Sequence, residues 1–214
     1  MGRDRAIPSR TRASLIARMK DWQDQASWQA FFDTYWRLIY DVARKAGLSD
    51  SEAQDVVQET MLAVARQMPN FQYDAGRGSF KAWLLTTTRW RIIDRLRQRL
   101  SSAQLGASDS EAPSTELVHS VPDPATVLPD QRWDDDWRRN LLEVALARLR
   151  ARIDPHKYQL FDFYVNKAWP ATKVAQRFGV PVRQVYLAKH RITVVLKKEI
   201  RRLEREARSK WPPG

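Results

Sequence analysis

Between Phe71 and Arg97 the chain interleaves aromatic and basic side chains: Phe71, Tyr73, Phe80, Trp83 and Trp90 alternate with Arg77, Lys81, Arg89, Arg91, Arg95 and Arg97. Aromatic faces stack on unpaired bases, at about 1–3 kcal/mol per base, while cations hold the phosphate backbone. Extruding a base from a duplex costs a few kcal/mol, which one pocket and several phosphate contacts can offset. The residue types therefore suit binding of nucleic acid. Phe71, Tyr73 and Arg77 sit in a glycine-containing loop, FQYDAGRGSF, and are the candidates for contact with a flipped base. Phe80, Trp83 and Leu84 share one helix face and read individually as core, so Trp83 carries both readings.

Two further segments carry signal. In DVVQETML, from Asp55, the residues Asp55, Gln58, Glu59, Leu62 and Arg66 fall opposite the apolar stripe of Ala53, Val56, Val57, Met61, Val64, Ala65 and Met68. A leucine beside two carboxylates and an amide suits a protein-docking surface with charged specificity groups. A solvated face with one stray leucine is the competing reading. Near the C-terminus, Trp169–Phe178, Gly179 and the helix opened by Pro181 have helix-turn-helix spacing, with glycine in the tight turn. On the second helix, Val185, Ala188, Ile192, Leu196, Ile200 and Leu203 form the core stripe, opposite Arg183, Leu187 and His190, with Gln184, Tyr186 and Arg191 at the flanks. Arg183 can pair with guanine and Gln184 with adenine, and Leu187 can touch a thymine methyl.

Other chemistries lack their residues. There is no cysteine, and His119, His156 and His190 are widely spaced, so neither a metal site nor a cofactor is expected. An enzyme acting on nucleic acid would need a carboxylate cluster or a nucleophile paired with a base; neither pattern occurs, and no enzymatic activity is expected. No apolar run reaches membrane-spanning length and none follows the basic start MGRDRAIPSRTR, so the expectation is a cytoplasmic protein without a membrane partner. The net charge of +12 divides as +6 over residues 1–100, −7 over 101–136 and +13 over 137–214. Two cationic blocks that release counterions from phosphates thus flank an acidic stretch.

The elements that must position these residues are helical. Apolar spacing predicts helices over 14–20, 27–46, 51–67 and 79–100, with Ser49 or Asp50 as an N-cap and Gly47 as a terminator. From Ser101 to Gln131 the composition turns to Ser, Ala, Asp, Glu and Pro without periodicity, which predicts a flexible linker. Helices resume over 134–153, 155–166, 170–179 and 181–208. The expected fold is all-α, two small bundles joined by a flexible linker: a basic N-terminal extension (1–20), a first domain (21–100), an acidic connector (101–133), a second domain with the helix-turn-helix (134–208) and a tail (209–214).

These motifs together resemble a bacterial RNA polymerase sigma factor of the extracytoplasmic-function (ECF) type. Trp28–Arg99 resembles sigma region 2, and Arg138–Arg205 resembles sigma region 4. The resemblance implies that Asp55, Gln58, Glu59, Leu62 and Arg66 bind core RNA polymerase at the β′ clamp helices, with other core subunits engaged as well. It implies that Phe71, Tyr73, Arg77, Lys81, Trp83, Arg89, Trp90, Arg91 and Arg95 melt and read the −10 promoter element. It assigns Arg183, Gln184, Tyr186, Leu187, His190 and Arg191 to the −35 element. Promoter DNA and core polymerase are the implied partners, and an anti-sigma protein is admitted as a regulator. The acidic connector is expected to run through the basic channel of core polymerase. Trp90 stands where the family often has asparagine, and PVRQVYLAKHR departs from the usual recognition helix, so the promoter sequence does not carry over. A stand-alone helix-turn-helix regulator is the alternative.

Overall fold

The computed structural model describes residues 15–21, 23–68, 79–105 and 128–208, and among them the regular elements are all helices. In chain order these are α1 (Leu15–Arg18), α2 (Gln25–Lys45), α3 (Asp50–Gln67), α4 (Phe80–Leu105), α5 (Asp130–Arg150), α6 (Pro155–Phe161), α7 (Ala171–Phe178) and α8 (Val182–Arg208). A π-helical turn, Asp162–Asn166, continues α6. The N-terminal extension before Leu15, the tail after Arg208 and most of the connector lie outside the described residues.

Local sequence sets the ends of these helices. Asp24 accepts the Ser27 N–H at 3.0 Å at the start of α2. Ser49 and Glu52 form a reciprocal capping box on α3, which satisfies two otherwise orphaned donors. Asp154 caps α6, with Pro155 in its first turn. Gly179 ends α7 at φ 64°, in the left-handed region. There the Val180 N–H reaches Ala175 O at 3.0 Å and the Gly179 N–H reaches Gln176 O at 3.4 Å, a closure that recovers carbonyls left free at a helix end.

Two boundaries differ from expectation. Helix α4 runs on to Leu105, and α5 begins at Asp130, four residues early. Leu128 explains the second shift. Its side chain is buried, and its carbonyl accepts the Arg89 Nε–H at 2.7 Å, so the chain is fastened to α4 before α5 starts. Asp130, expected in the connector, consequently lies on the same helix as Asp134, Asp135 and Asp136.

The main core lies among α2, α3, α4 and α5. Phe31, Tyr35, Leu38 and Ile39 of α2 meet Val56 and Val64 of α3, Phe80, Leu84 and Ile92 of α4, and Trp133, Trp137 and Leu141 of α5. Leu203 and Ala207, from the far end of α8, enter the same core. A smaller core of Leu160, Val174, Val185 and Ala188, rimmed by Phe163, Trp169 and Phe178, organises the helix-turn-helix. Leu149, Phe161 and Ile192 pack between α5, α6 and α8. Helices α5 and α8 thus contribute to packing at both ends of the molecule.

Polar groups in this seam bond to one another. The Asn140 side-chain amide donates to Thr34 O at 2.8 Å. Arg148 donates to Thr34 Oγ1 at 2.8 Å and to Glu199 at 3.3 Å, and Arg202 donates to Glu199 at 2.6 Å. A buried carboxylate needs such partners, because desolvating it unpaired is costly.

Two substitutions separate these contributions in urea unfolding. Trp137→Ala empties a core position and should cost about 3–5 kcal/mol. Gly179→Ala should cost about 1 kcal/mol, a backbone penalty, because an added Cβ meets nothing within 4 Å.

Candidate functional site

Helix α3 presents its polar face to two different neighbours. Three arginines one turn apart on α4 form a ladder with its carboxylates: Arg91 with Glu59 at 3.8 Å, Arg95 with Glu59 and with Asp55 at 3.4 Å, and Arg99 with Glu52. Asp55 and Glu59 are therefore turned toward α4, while Gln58, Leu62 and Arg66 face outward. Leu62 is 47% exposed. The ladder also accounts for Arg91 and Arg95, sequence candidates for DNA contact that are held here by α3.

Beside Gln58 and Leu62 runs an apolar groove of about 1100 Å³ between α2 and α3, lined among others by Trp28, Phe32, Trp36, Met61 and Leu62. Phe32 and Trp36 stack with centroids 6.1 Å apart and planes 10° apart, and the Arg37 guanidinium lies 5.3 Å from the Trp36 ring centre. Sequence reasoning missed this surface. Its signal was present: Trp28, Phe32, Trp36 and Tyr40 recur every fourth residue, which stacks them along one helix edge. That edge is distinct from the core stripe of Phe31, Tyr35, Leu38 and Ile39.

The remaining −10 candidates are dispersed. Trp90 is 49% exposed on α4. Trp83 is half-buried and packs on the main core, 6.0 Å from the Phe80 ring. Lys81 pairs with Asp134 of α5. Arg89 pairs with Asp130 at 2.6 Å, and its side chain is only 14% exposed. Phe71, Tyr73 and Arg77 lie outside the described residues.

The helix-turn-helix brings its candidates together. Arg183, Gln184, Tyr186, Leu187, His190 and Arg191 are all exposed on the first turns of α8, while Val185, Ala188 and Ile192 are buried behind them. Tyr186 packs edge-on against Tyr164, with centroids 5.7 Å apart. The π turn sets this contact: Phe163 faces Trp169 and Phe178 of the α7 side, while the next residue supports α8. Lys173 and Lys189 lie over Trp169 and Tyr164 at 4.2 and 5.4 Å, adding cations beside the exposed row.

Among the described residues no group of three or more His, Cys, Asp or Glu side chains is placed to hold a metal ion. No helix among them is long and apolar enough to cross a membrane. The arrangement can bind along two surfaces, a groove with an amide and a leucine at its rim and a basic helix end.

Comparison with known proteins gives matches along most of the chain. Residues 31–101, from α2 to late α4, match the Sigma-70 region 2 family model. The chain is 25% identical over 184 residues to the ECF RNA polymerase sigma factor SigX of Bacillus subtilis, covering 85% of this chain and 88% of that protein. It is 28% identical over 157 residues to the ECF RNA polymerase sigma factor SigL of Mycobacterium tuberculosis, covering 73% and 79% respectively. A shorter stretch of 74 residues is 32% identical to SigK of Mycobacterium bovis, 35% of this chain and 38% of that protein.

One carboxylate of the ladder reports on it. The Arg99 guanidinium first, and then the Ser49 N–H, hold the Glu52 carboxyl at about 2, below its ordinary 4.5. A depressed folded-state value stabilises the fold above the ordinary value, and that stabilisation is lost as pH falls from about 4.5 toward 2. The stability gap between the parent and Glu52→Gln should therefore narrow between pH 6 and pH 3, read as urea midpoints. An equal gap at both values would contradict the pairing.

Proposed function

We propose that this chain, which belongs to the ECF branch of the sigma-70 family, binds core RNA polymerase and directs promoter recognition, DNA melting and the start of transcription. The observation that carries the reading is the α2–α3 groove. Most of its lining lies in the region matching the family model, and it meets the outward Gln58 and Leu62 on a face of α3 free of the arginine ladder. Apolar grooves with a small polar rim are where partner helices dock.

In this reading the β′ clamp helices of core polymerase lie along the groove, with Gln58, Leu62 and Arg66 at its rim. Asp55 and Glu59 hold α3 against α4 and meet the partner at their exposed edge. Residues 71–80 and Trp90 take an unstacked base of the −10 element, and the first turns of α8 enter the −35 major groove. Other core subunits contact the remaining basic surface. An anti-sigma protein would act by covering the groove. The protein works in the cytoplasm, where RNA polymerase is found.

Leu62 offers the sharpest test, because it is exposed and its replacement spares the core. Leu62→Arg should weaken binding to purified core polymerase at least tenfold and abolish promoter-dependent run-off transcripts. Its effect on stability should stay within about 0.5 kcal/mol. Failure of the parent chain to yield a run-off transcript from any genomic fragment would overturn the reading.

A further inference from the structure

Helix α8 is 27 residues long, and the proposed contact with the −35 element occupies only its first turns. At about 100° per residue, one face carries Arg183, Leu187, His190, Val194, Lys198 and Arg201, and each of them is exposed. Lys197 lies at the edge of this face and is exposed as well. The buried stripe of Val185, Ala188, Ile192 and Leu203 lies behind it. The row presented at the start of the helix thus continues along it, past Val194, as a second group of cations.

This second group is uncommitted. Elsewhere Arg91, Arg95 and Arg99 hold carboxylates of α3, and Arg138 and Arg139 hold aspartates of their own helix. Lys197, Lys198 and Arg201 meet no carboxylate among the described residues. The acids nearest in sequence are turned elsewhere: Glu199 is buried and held by Arg148 and Arg202, and Glu206 lies 3.9 Å from Arg202. Glu204 stands at the edge of the face, two turns beyond Lys197. Arg201 lies four residues from Lys197 and three from Lys198, spacings at which like charges destabilise a helix. An anion laid on the patch relieves that repulsion.

Distance along the helix decides which anion. At 1.5 Å per residue, Lys198 and Arg201 stand about 22 and 27 Å from Arg183. A major groove is about 12 Å wide, so they lie beyond the groove that the first turns enter. Successive phosphates of one strand are about 3.4 Å apart along a duplex. We infer that Lys197, Lys198 and Arg201 bind the phosphate backbone of the same duplex, about six to eight base pairs from the bases met by the first turns. The inference rests on the −35 contact proposed above. Cations at phosphates release counterions whatever the base sequence, so this second contact adds affinity and orientation without sequence preference. It holds α8 along the duplex, because a helix inserted end-on would carry these residues away from the DNA.

The test uses the full chain and a fluorescent duplex of about 30 base pairs, long enough to pass both groups of cations, with anisotropy read from about 50 to about 200 mM salt. One triple variant carries Lys197→Gln, Lys198→Gln and Arg201→Gln. The other carries Arg132→Gln, Arg150→Gln and Arg152→Gln, which removes the same charge from exposed positions on α5 and the turn after it. The first triple should bind at least fivefold more weakly than the second. Its slope of log affinity against log salt should be shallower by about 2.7, the loss of three phosphate contacts. A difference below fivefold, or equal slopes, with both triples folded by circular dichroism, would overturn the inference. Binding of both triples to core polymerase is measured in parallel. Loss of that binding by the first triple, with its duplex binding unchanged, would overturn it too and assign the patch to an acidic protein surface. Run-off transcription by the parent chain reports separately on the sigma-factor reading, whatever the duplex result.

Discussion

The stacking of Trp137 on Tyr35, backed by Trp133 and Phe80, is the contact on which the rest of the molecule depends. It draws α5 into the core built by α2, α3 and α4, and α5 then carries α6 and the helix-turn-helix. Burial pushes the Tyr35 hydroxyl well above its usual range, so this ring stays neutral and stacks as an apolar surface with one polar edge. The polar seam beside it fixes the register. Asn140 and Arg148 both reach Thr34, so a shift of α5 by one turn would bury their hydrogen-bonding groups unpaired.

Charge is distributed according to the same logic. Arginine recurs every four residues on α4 because its planar fork can serve two carboxylates at once, as Arg95 does with Asp55 and Glu59. The ladder occupies the carboxylates of α3 and leaves an amide, a leucine and an arginine for outside contacts. On α4's other flank, Lys81 and Arg89 are matched by α5. Among the described residues, exposed cations also line α8, from Arg183, Lys189 and Arg191 in its first turns to Lys197, Lys198 and Arg201.

Most of the helices could be read from spacing and punctuation. Gly47, Ser49, Pro155, Gly179 and Pro181 sit within two residues of the observed ends, because caps and terminators act locally. The exposed row from Arg183 to Arg191 was legible for the same reason: on a helix with one clean apolar stripe, the opposite face is fixed. Pairing between elements was not legible. Whether Asp55 faces a partner protein or Arg95 depends on how α3 and α4 cross, which periodicity does not encode. Leu128 to Trp133 looked like linker because the composition around them obscured the spacing of Leu128, Trp133, Trp137 and Leu141. The aromatic edge of α2 was hidden differently. Trp28, Phe32, Trp36 and Tyr40 run beside the core stripe, and spacing alone does not separate an open apolar stripe from a packed one.

Helix α8 presents the exposed row from Arg183 to Arg191 at one end and is anchored at the other. Arg183 stands at its first turn and Leu203 in the main core, and the 20 residues between them span about 30 Å at 1.5 Å each. The helix is thus a lever with its fulcrum at the aromatic joint. A rotation of 10° about Leu203 would swing the first turn by about 5 Å, roughly one turn of helix rise. The position of the exposed row is therefore set less by the length of the connector than by the angle at which a few core side chains hold one helix.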